Sequence, residues 1–296
     1  MTGLTAVSPT KLLVGVSISD SPNDELIERG LSELHVRHVF VEVVRHILAA
    51  GWSVAYGGDF RAAGYTETLL DLVRTYDRRD ALGPERVLAY LAWPIWTTLT
   101  NKDVAEISNI ATLKKTPAPA GAPSTLPPPE SMEPLDRAWF SQSLSIMRTQ
   151  MTADIDARVV LGGRVSGQQG LYPGVAEEAM LASASGVPLF VAGGFGGCAR
   201  AIADALGGRA PRELSVEYQL AHTDDFDELV AAVLTLGLKA DYEVLSQTFR
   251  AAGQSGLRNG LTDDENQELL ATDDTDKLVS LVLRGLRRTV PDGPNS

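Results

Sequence analysis

Two glutamates, Glu177 and Glu178, follow the stretch Tyr172-Pro173-Gly174, and the glycines around them mark where a phosphorylated ligand would sit. Residues 159–197 hold a β-branched run that ends in Gly162-Gly163, then Arg164, a loop through Gly170 to Pro173-Gly174, and a helix that carries both glutamates. A second apolar run then ends in Gly193-Gly194-Phe195. A related pattern lies upstream, where Gly57-Gly58 precedes Asp59, Arg61, Thr66 and Glu67. Glycines let backbone N–H groups approach a phosphate closely. The planar fork of an arginine, Arg61 in one loop and Arg164 in the other, donates two parallel hydrogen bonds to it. A carboxylate in a first helical turn is favoured by the helix dipole alone. The chemical alternative is that it accepts ribose hydroxyls or serves as a general acid or base at a glycosidic bond. Adjacent helical residues point about 100° apart, so only one of the pair faces the loops. Residue spacing leaves open which one.

Glycine-ended strands position these loops at one edge. A short buried strand over residues 11–19 brings Ser17 and Ser19 to its carboxyl end, a second over 52–56 ends at Gly57, and a third spans 86–93. Helical spacing predicts helices over 32–51, 66–76 and 135–155. The first of these carries Val36, Val39, Phe40, Val43, Val44 and Ile47 on one face. Seven prolines between residues 117 and 134 exclude a helix or a central strand and read as a surface loop. Strand–helix alternation predicts an α/β fold, a Rossmann-like, mostly parallel sheet with helices on both faces. Beyond residue 206 the alternation fades. Helices over 224–236, 239–252, 262–270 and 276–288 then form a helical C-terminal extension, with Thr262 and either Thr275 or Asp276 as N-caps. The expected division is a nucleotide-binding domain over residues 1–210, with the proline-rich insertion, and an extension over 211–290 before a frayed tail.

Composition excludes several classes. The formal charge of −12 argues against broad nucleic-acid or anionic-membrane binding, which needs clustered Lys and Arg. It leaves room for a local basic pocket from Arg61, Arg148 and Arg164. The single cysteine, Cys198, excludes an internal disulfide and a cysteine zinc cluster, and reads as a small residue packed at a helix start. His35, His38 and His46 lack a spaced carboxylate and read as helix-surface residues rather than metal ligands. No resident cofactor is expected. No apolar run approaches the roughly 20 residues needed to span a bilayer, so a cytoplasmic protein is expected. Neither G-x-G-x-x-G nor the P-loop spacing is present, which points away from nicotinamide and ordinary NTPase chemistry.

Taken together, residues 57–67, 162–178 and 193–197 resemble the SLOG superfamily. This Rossmann-like group includes the Lonely-guy (LOG) phosphoribohydrolases, the DNA-processing protein DprA and the nucleotide-sensing domains of TRPM channels. LOG enzymes carry P-G-G-x-G-T-x-x-E, whose glycines bind phosphate and whose glutamate is catalytic. The matching stretch here keeps Pro173-Gly174 and a following glutamate but lacks the second glycine and the Gly-Thr pair. That departure favours sensing over cleavage, and the chain looks more like SLOG subfamilies of bacterial conflict and defence systems. The resemblance implies an NAD- or ADP-ribose-related ligand. Its phosphates would lie on the loops of Gly57, Gly58, Gly162, Gly163, Gly170 and Gly174, and Glu177 or Glu178 would hold a ribose. A homo-oligomer is expected, and a sensor without a fused effector domain needs a separate effector protein. The alternative is a LOG-like hydrolase of an N-glycosidic bond, with Glu177 or Glu178 catalytic.

Overall fold

A computed structural model describes residues 11–20, 26–27, 30–58, 64–80 and 84–290. The expected sites Asp59 and Arg61, and the tail from residue 291, lie outside the described residues. Six strands form one sheet in the order β4-β3-β2-β1-β5-β6, with every neighbouring pair parallel: β1 Leu13–Ser17, β2 Ser53–Gly57, β3 Val87–Leu91, β4 Thr112–Lys115, β5 Ala157–Leu161 and β6 Leu189–Ala192. A parallel sheet needs cover on both faces, and the fully buried β5 and β6 obey that. Period-two alternation sorts the side chains. Val14, Val16, Val159 and Leu161 enter the core beneath one helical layer, whereas Val160 and Val191 enter the opposite one.

The first layer contains α1 Glu33–Ala49 and α2 Tyr65–Asp80. All six apolar positions expected on α1 are buried. On the other face lie α5 Pro134–Asp154, α6 Gly174–Ala184 and α7 Gly197–Leu206. Between β3 and α5 the chain builds elements that the sequence reading did not resolve: the one-turn α3 Trp93–Trp96, α4 Asn101–Ser108 and the edge strand β4. The proline-rich stretch contains only a 3-10 turn, Pro129–Ser131.

C-terminal to α7 come α8 Val216–His222, also not anticipated, then α9 Phe226–Thr235, α10 Tyr242–Ala252, α11 Asp263–Ala271 and α12 Thr275–Thr289. These helices divide between the faces. α9 packs on α5, α10 on α6 and α7, α11 against β6, and α12 on α1. Thr262 caps α11 as expected, its Oγ1 accepting from Glu265 N–H. The cap of α12 is Asp274 rather than Thr275 or Asp276, because its carboxylate reaches Lys277 N–H at 2.9 Å. No helix among the described residues is long and apolar enough to cross a membrane.

Glu265 joins α11 to α12. It accepts from Thr262 N–H, from Arg284 at 2.8 Å and from Arg288 at 2.6 Å, and these bonds hold its carboxyl down at about 2. A carboxylate with a depressed folded-state pKa contributes stability above its ordinary value of 4.5, and that contribution is lost as pH falls toward about 2. Thermal unfolding of Glu265→Gln should therefore show a lower Tm than wild type above about pH 4.5, with the gap closing toward pH 2. A gap that does not change with pH would rule out this role for the carboxylate.

Candidate functional site

Strand order reverses between β1 and β5, since the chain builds outward from β1 to β4 and returns to add β5 on the other side. In open α/β sheets the carboxyl edge at such a reversal is where ligands bind. A cavity of about 280 Å3 opens there. Ile18 and Ser19 line it beyond β1, Gly57 and Gly58 at the end of β2, Arg164 and residues 167–169 beyond β5, and Gly174, Val175 and Glu178 from the start of α6. Tyr65 from α2 and Arg148 from α5 complete the polar wall. The first N–H groups of α6 have no acceptor within the helix, so its positive end faces this space.

A buried ion-pair cluster forms the floor. Arg158 projects from near the start of β5 with no exposed surface. Its Nη1 donates to Glu178 Oε2 at 2.6 Å and to Ser17 Oγ at 2.8 Å, and its Nη2 donates to Thr152 Oγ1 at 3.1 Å. Ser17 Oγ donates in turn to Glu178 Oε2 at 2.5 Å. Gly15, opposite Arg158 in the sheet register, leaves room for Ile155, whose Cδ1 a β-carbon there would meet at 2.8 Å, while the guanidinium lies alongside at ordinary contact distance. Burial pushes the Arg158 guanidinium below its ordinary pKa, while Glu178 opposes that shift. Glu177 turns the other way, toward α5, where Arg148 Nη1 and Ser145 Oγ donate to its two oxygens. Arg148 Nε stands 3.7 Å from Glu178 Oε1, and it is a buried donor without a hydrogen-bond partner.

The expected site residues thus divide. Ser19, Gly57, Gly58, Arg164, Gly174 and Glu178 line the cavity, and Ser17 lies beneath it against Glu178. Thr66 is buried, so close to Gly58 that a β-carbon there would meet its hydroxyl at 2.8 Å. Glu178, and not Glu177, is the glutamate on the cavity wall. Gly162 and Gly163 pack instead. Their carbonyls accept from Ala199 and Cys198 N–H at 2.8 Å each, which fixes the start of α7 against the end of β5. Gly163 adopts φ +90, and a side chain there would strike Val175. Gly170 and Pro173 flank Arg148 and the first turn of α6. Gly193, Gly194 and Phe195 lie apart from the cavity. A β-carbon on Gly194 would collide with the Thr272 carbonyl, so this glycine pair admits the chain that leaves α11. Cys198 is buried at the start of α7 with its thiol pushed up to about 12 by burial, as suits a packing residue. His35 accepts from Ser32 N–H at 2.9 Å and so belongs to the α1 cap.

The combination of an all-parallel sheet, glycine-ended strands and an arginine-lined cavity at the strand reversal is matched at sequence level by the family model "SLOG cluster2", over residues 9–269. The chain belongs to the SLOG cluster2 family. No curated protein matches it. SLOG membership is consistent with a nucleotide-related ligand or LOG-like function, and the match extends through most of the helices beyond α7. Within this SLOG chain Arg158 is the residue that sequence reasoning missed. An arginine inside the apolar run of β5 demanded a buried partner, and Ser17 and Glu178, distant in sequence, supply it.

Removing one member of a buried pair leaves a charge unsatisfied, at about 3–5 kcal/mol, whereas replacing both with apolar groups is often neutral. Arg158→Leu should lower unfolding stability by about that amount. The double change Arg158→Leu with Glu178→Leu should recover most of the loss in chemical denaturation. No recovery would mean that packing, not charge pairing, sets the cost.

Proposed function

We propose that this protein binds a nucleotide-derived ligand, NAD- or ADP-ribose-related, at the carboxyl edge of β1, β2 and β5, and acts as a sensor rather than a hydrolase. The observation that carries the reading is one cavity at the strand reversal lined together by Arg148, Arg164, Gly58, Glu178 and the first turn of α6. Phosphate would rest between Arg164, the Gly57-Gly58 backbone and the first turn of α6, where guanidinium, amides and dipole all favour an anion. Glu178, oriented by Ser17 and Arg158, would accept ribose hydroxyls.

Sensing is favoured because Glu178 is clamped by two donors on one oxygen, a posture suited to a fixed acceptor. The missing Gly-Thr pair of the LOG signature points the same way. The likeness to SLOG proteins of conflict systems supports a bacterial signalling or defence setting, in the cytoplasm. There a homo-oligomer would pass the signal to a separate effector protein. LOG-like cleavage of an N-glycosidic bond is the second reading, favoured by the place of Glu178 on the cavity wall.

Calorimetry with NMN, AMP, ADP-ribose and NAD should show binding of at least one compound. Incubation with the same set should release no ribose phosphate or free base. Arg164→Ala should weaken the bound compound about 10-fold or more, the equivalent of one charge-assisted hydrogen bond. Turnover that Glu178→Gln abolishes would establish the hydrolase instead. Failure of all four to bind would sink both readings for these ligands.

A further inference from the structure

A second, larger cavity of about 810 Å3 adjoins the polar one and shares Ile95 and Gln169 with it. The proline-rich stretch makes one wall, through Leu126, Pro127 and Pro128, and Phe140 of α5 and Ile95 of α3 face it. Its charged lining is Asp103 and Glu106 of α4 and Arg74 of α2, the last ion-paired with Asp71. The polar cavity alone, at about 280 Å3, falls just below the range of about 300–1,000 Å3 that holds ligands of drug size. It has room for a phosphate and a sugar. A whole nucleotide must extend further, and the apolar cavity continues the same sheet edge from β2 toward β3.

We propose that the proline-rich stretch builds a base subsite, and that a purine of the nucleotide held at the polar cavity lies between Leu126, Pro127 and Phe140. The proposal rests on the phosphate-and-ribose reading given above. Charge fixes the direction. Arg148 and Arg164 stand at the polar end; at the other, Arg74 is engaged by Asp71 at 2.7 Å, and the two carboxylates of Asp103 and Glu106 leave that end net negative, repelling phosphate while accepting from an exocyclic amino group. Asp103 Oδ2 already accepts from Thr100 N–H and Oγ1, so Glu106, whose nearest cation is Lys102 at 3.8 Å, is the freer acceptor. Gln169 lies at the junction between sugar and base. Trp93 and Trp96, which flank Pro94, do not line either cavity. Trp93 is buried, and Trp96 donates its indole N–H to the Thr116 carbonyl at 2.8 Å. The flat apolar surfaces here are the proline rings and Phe140.

Titration calorimetry of the full chain with AMP, inosine monophosphate and ribose 5-phosphate tests this. Stacking of one base is worth a factor of about ten or more in affinity. AMP should therefore bind at least about tenfold tighter than ribose 5-phosphate, with inosine monophosphate, which lacks the amino group, between them. Leu126→Trp fills the subsite and should bring AMP to the affinity of ribose 5-phosphate, while binding of ribose 5-phosphate stays unchanged and reports that the variant is folded. AMP binding no tighter than ribose 5-phosphate in the wild type overturns the base subsite without touching the phosphate grip, and that comparison needs no variant. AMP binding that is tighter yet indifferent to Leu126→Trp also overturns it, by placing the base elsewhere. If neither AMP nor ribose 5-phosphate binds, the phosphate-and-ribose reading fails, and the base subsite with it.

Discussion

The buried guanidinium of Arg158 is the constraint on which the site depends. A strand at the centre of a parallel sheet has no water for a charge, so Arg158 must find its acceptors inside the protein. It takes them from three other elements: Ser17 at the end of β1, Thr152 on α5 and Glu178 on α6. Those bonds fix α6 over the β1–β5 junction, and with it the helix N-terminus and the glutamate that line the cavity. Desolvation makes the pair a weak source of net stability but a strict specifier of arrangement, because a displaced α6 would leave an ion unpaired.

Glycine pairs that look equivalent in the sequence do different physical work. Gly57-Gly58 opens onto the cavity, whereas Gly162-Gly163 binds the start of α7 through its carbonyls. Gly193-Gly194 yields space to the backbone after α11. All three end strands, since the chain must turn sharply from sheet to helix at each. Only the first lines the cavity, from the end of β2 beside β1. A glycine pair therefore marks an edge, and its neighbours across the fold decide whether that edge holds a ligand or another helix.

Much of the scaffold was legible because its signals are local. The apolar stripe of α1, the buried strands β1, β2 and β5, the Thr262 cap and the proline-rich loop all follow from spacing and residue type. The short α3, α4 and β4 escaped because few residues carry each pattern. The partly exposed edge strand β4 also lacks the continuous apolar run of its neighbours. At the site, the glycines and Arg164 stood out, but the choice of Glu178 over Glu177 did not. Both glutamates are buried and both have arginine partners, so burial does not tell them apart. The direction of each depends on Arg148 and Arg158, which approach α6 from different elements and therefore leave no mark in its own sequence.

Charge accounting narrows what such a site can hold. An overall charge of −12 surrounds a cavity near which Arg148, Arg158 and Arg164 gather. Arg148 and Arg158 are balanced by Glu177 and Glu178, so among the described residues the site retains one positive charge, that of Arg164, plus the partial charge of the α6 N-terminus. A triphosphate would bring more negative charge than these groups neutralise, inside a protein whose field already repels anions. A ligand with one or two phosphates, whose remaining recognition comes from sugar hydroxyls and an apolar moiety, fits that balance. The division between a small polar cavity and a larger apolar neighbour is what such a ligand requires.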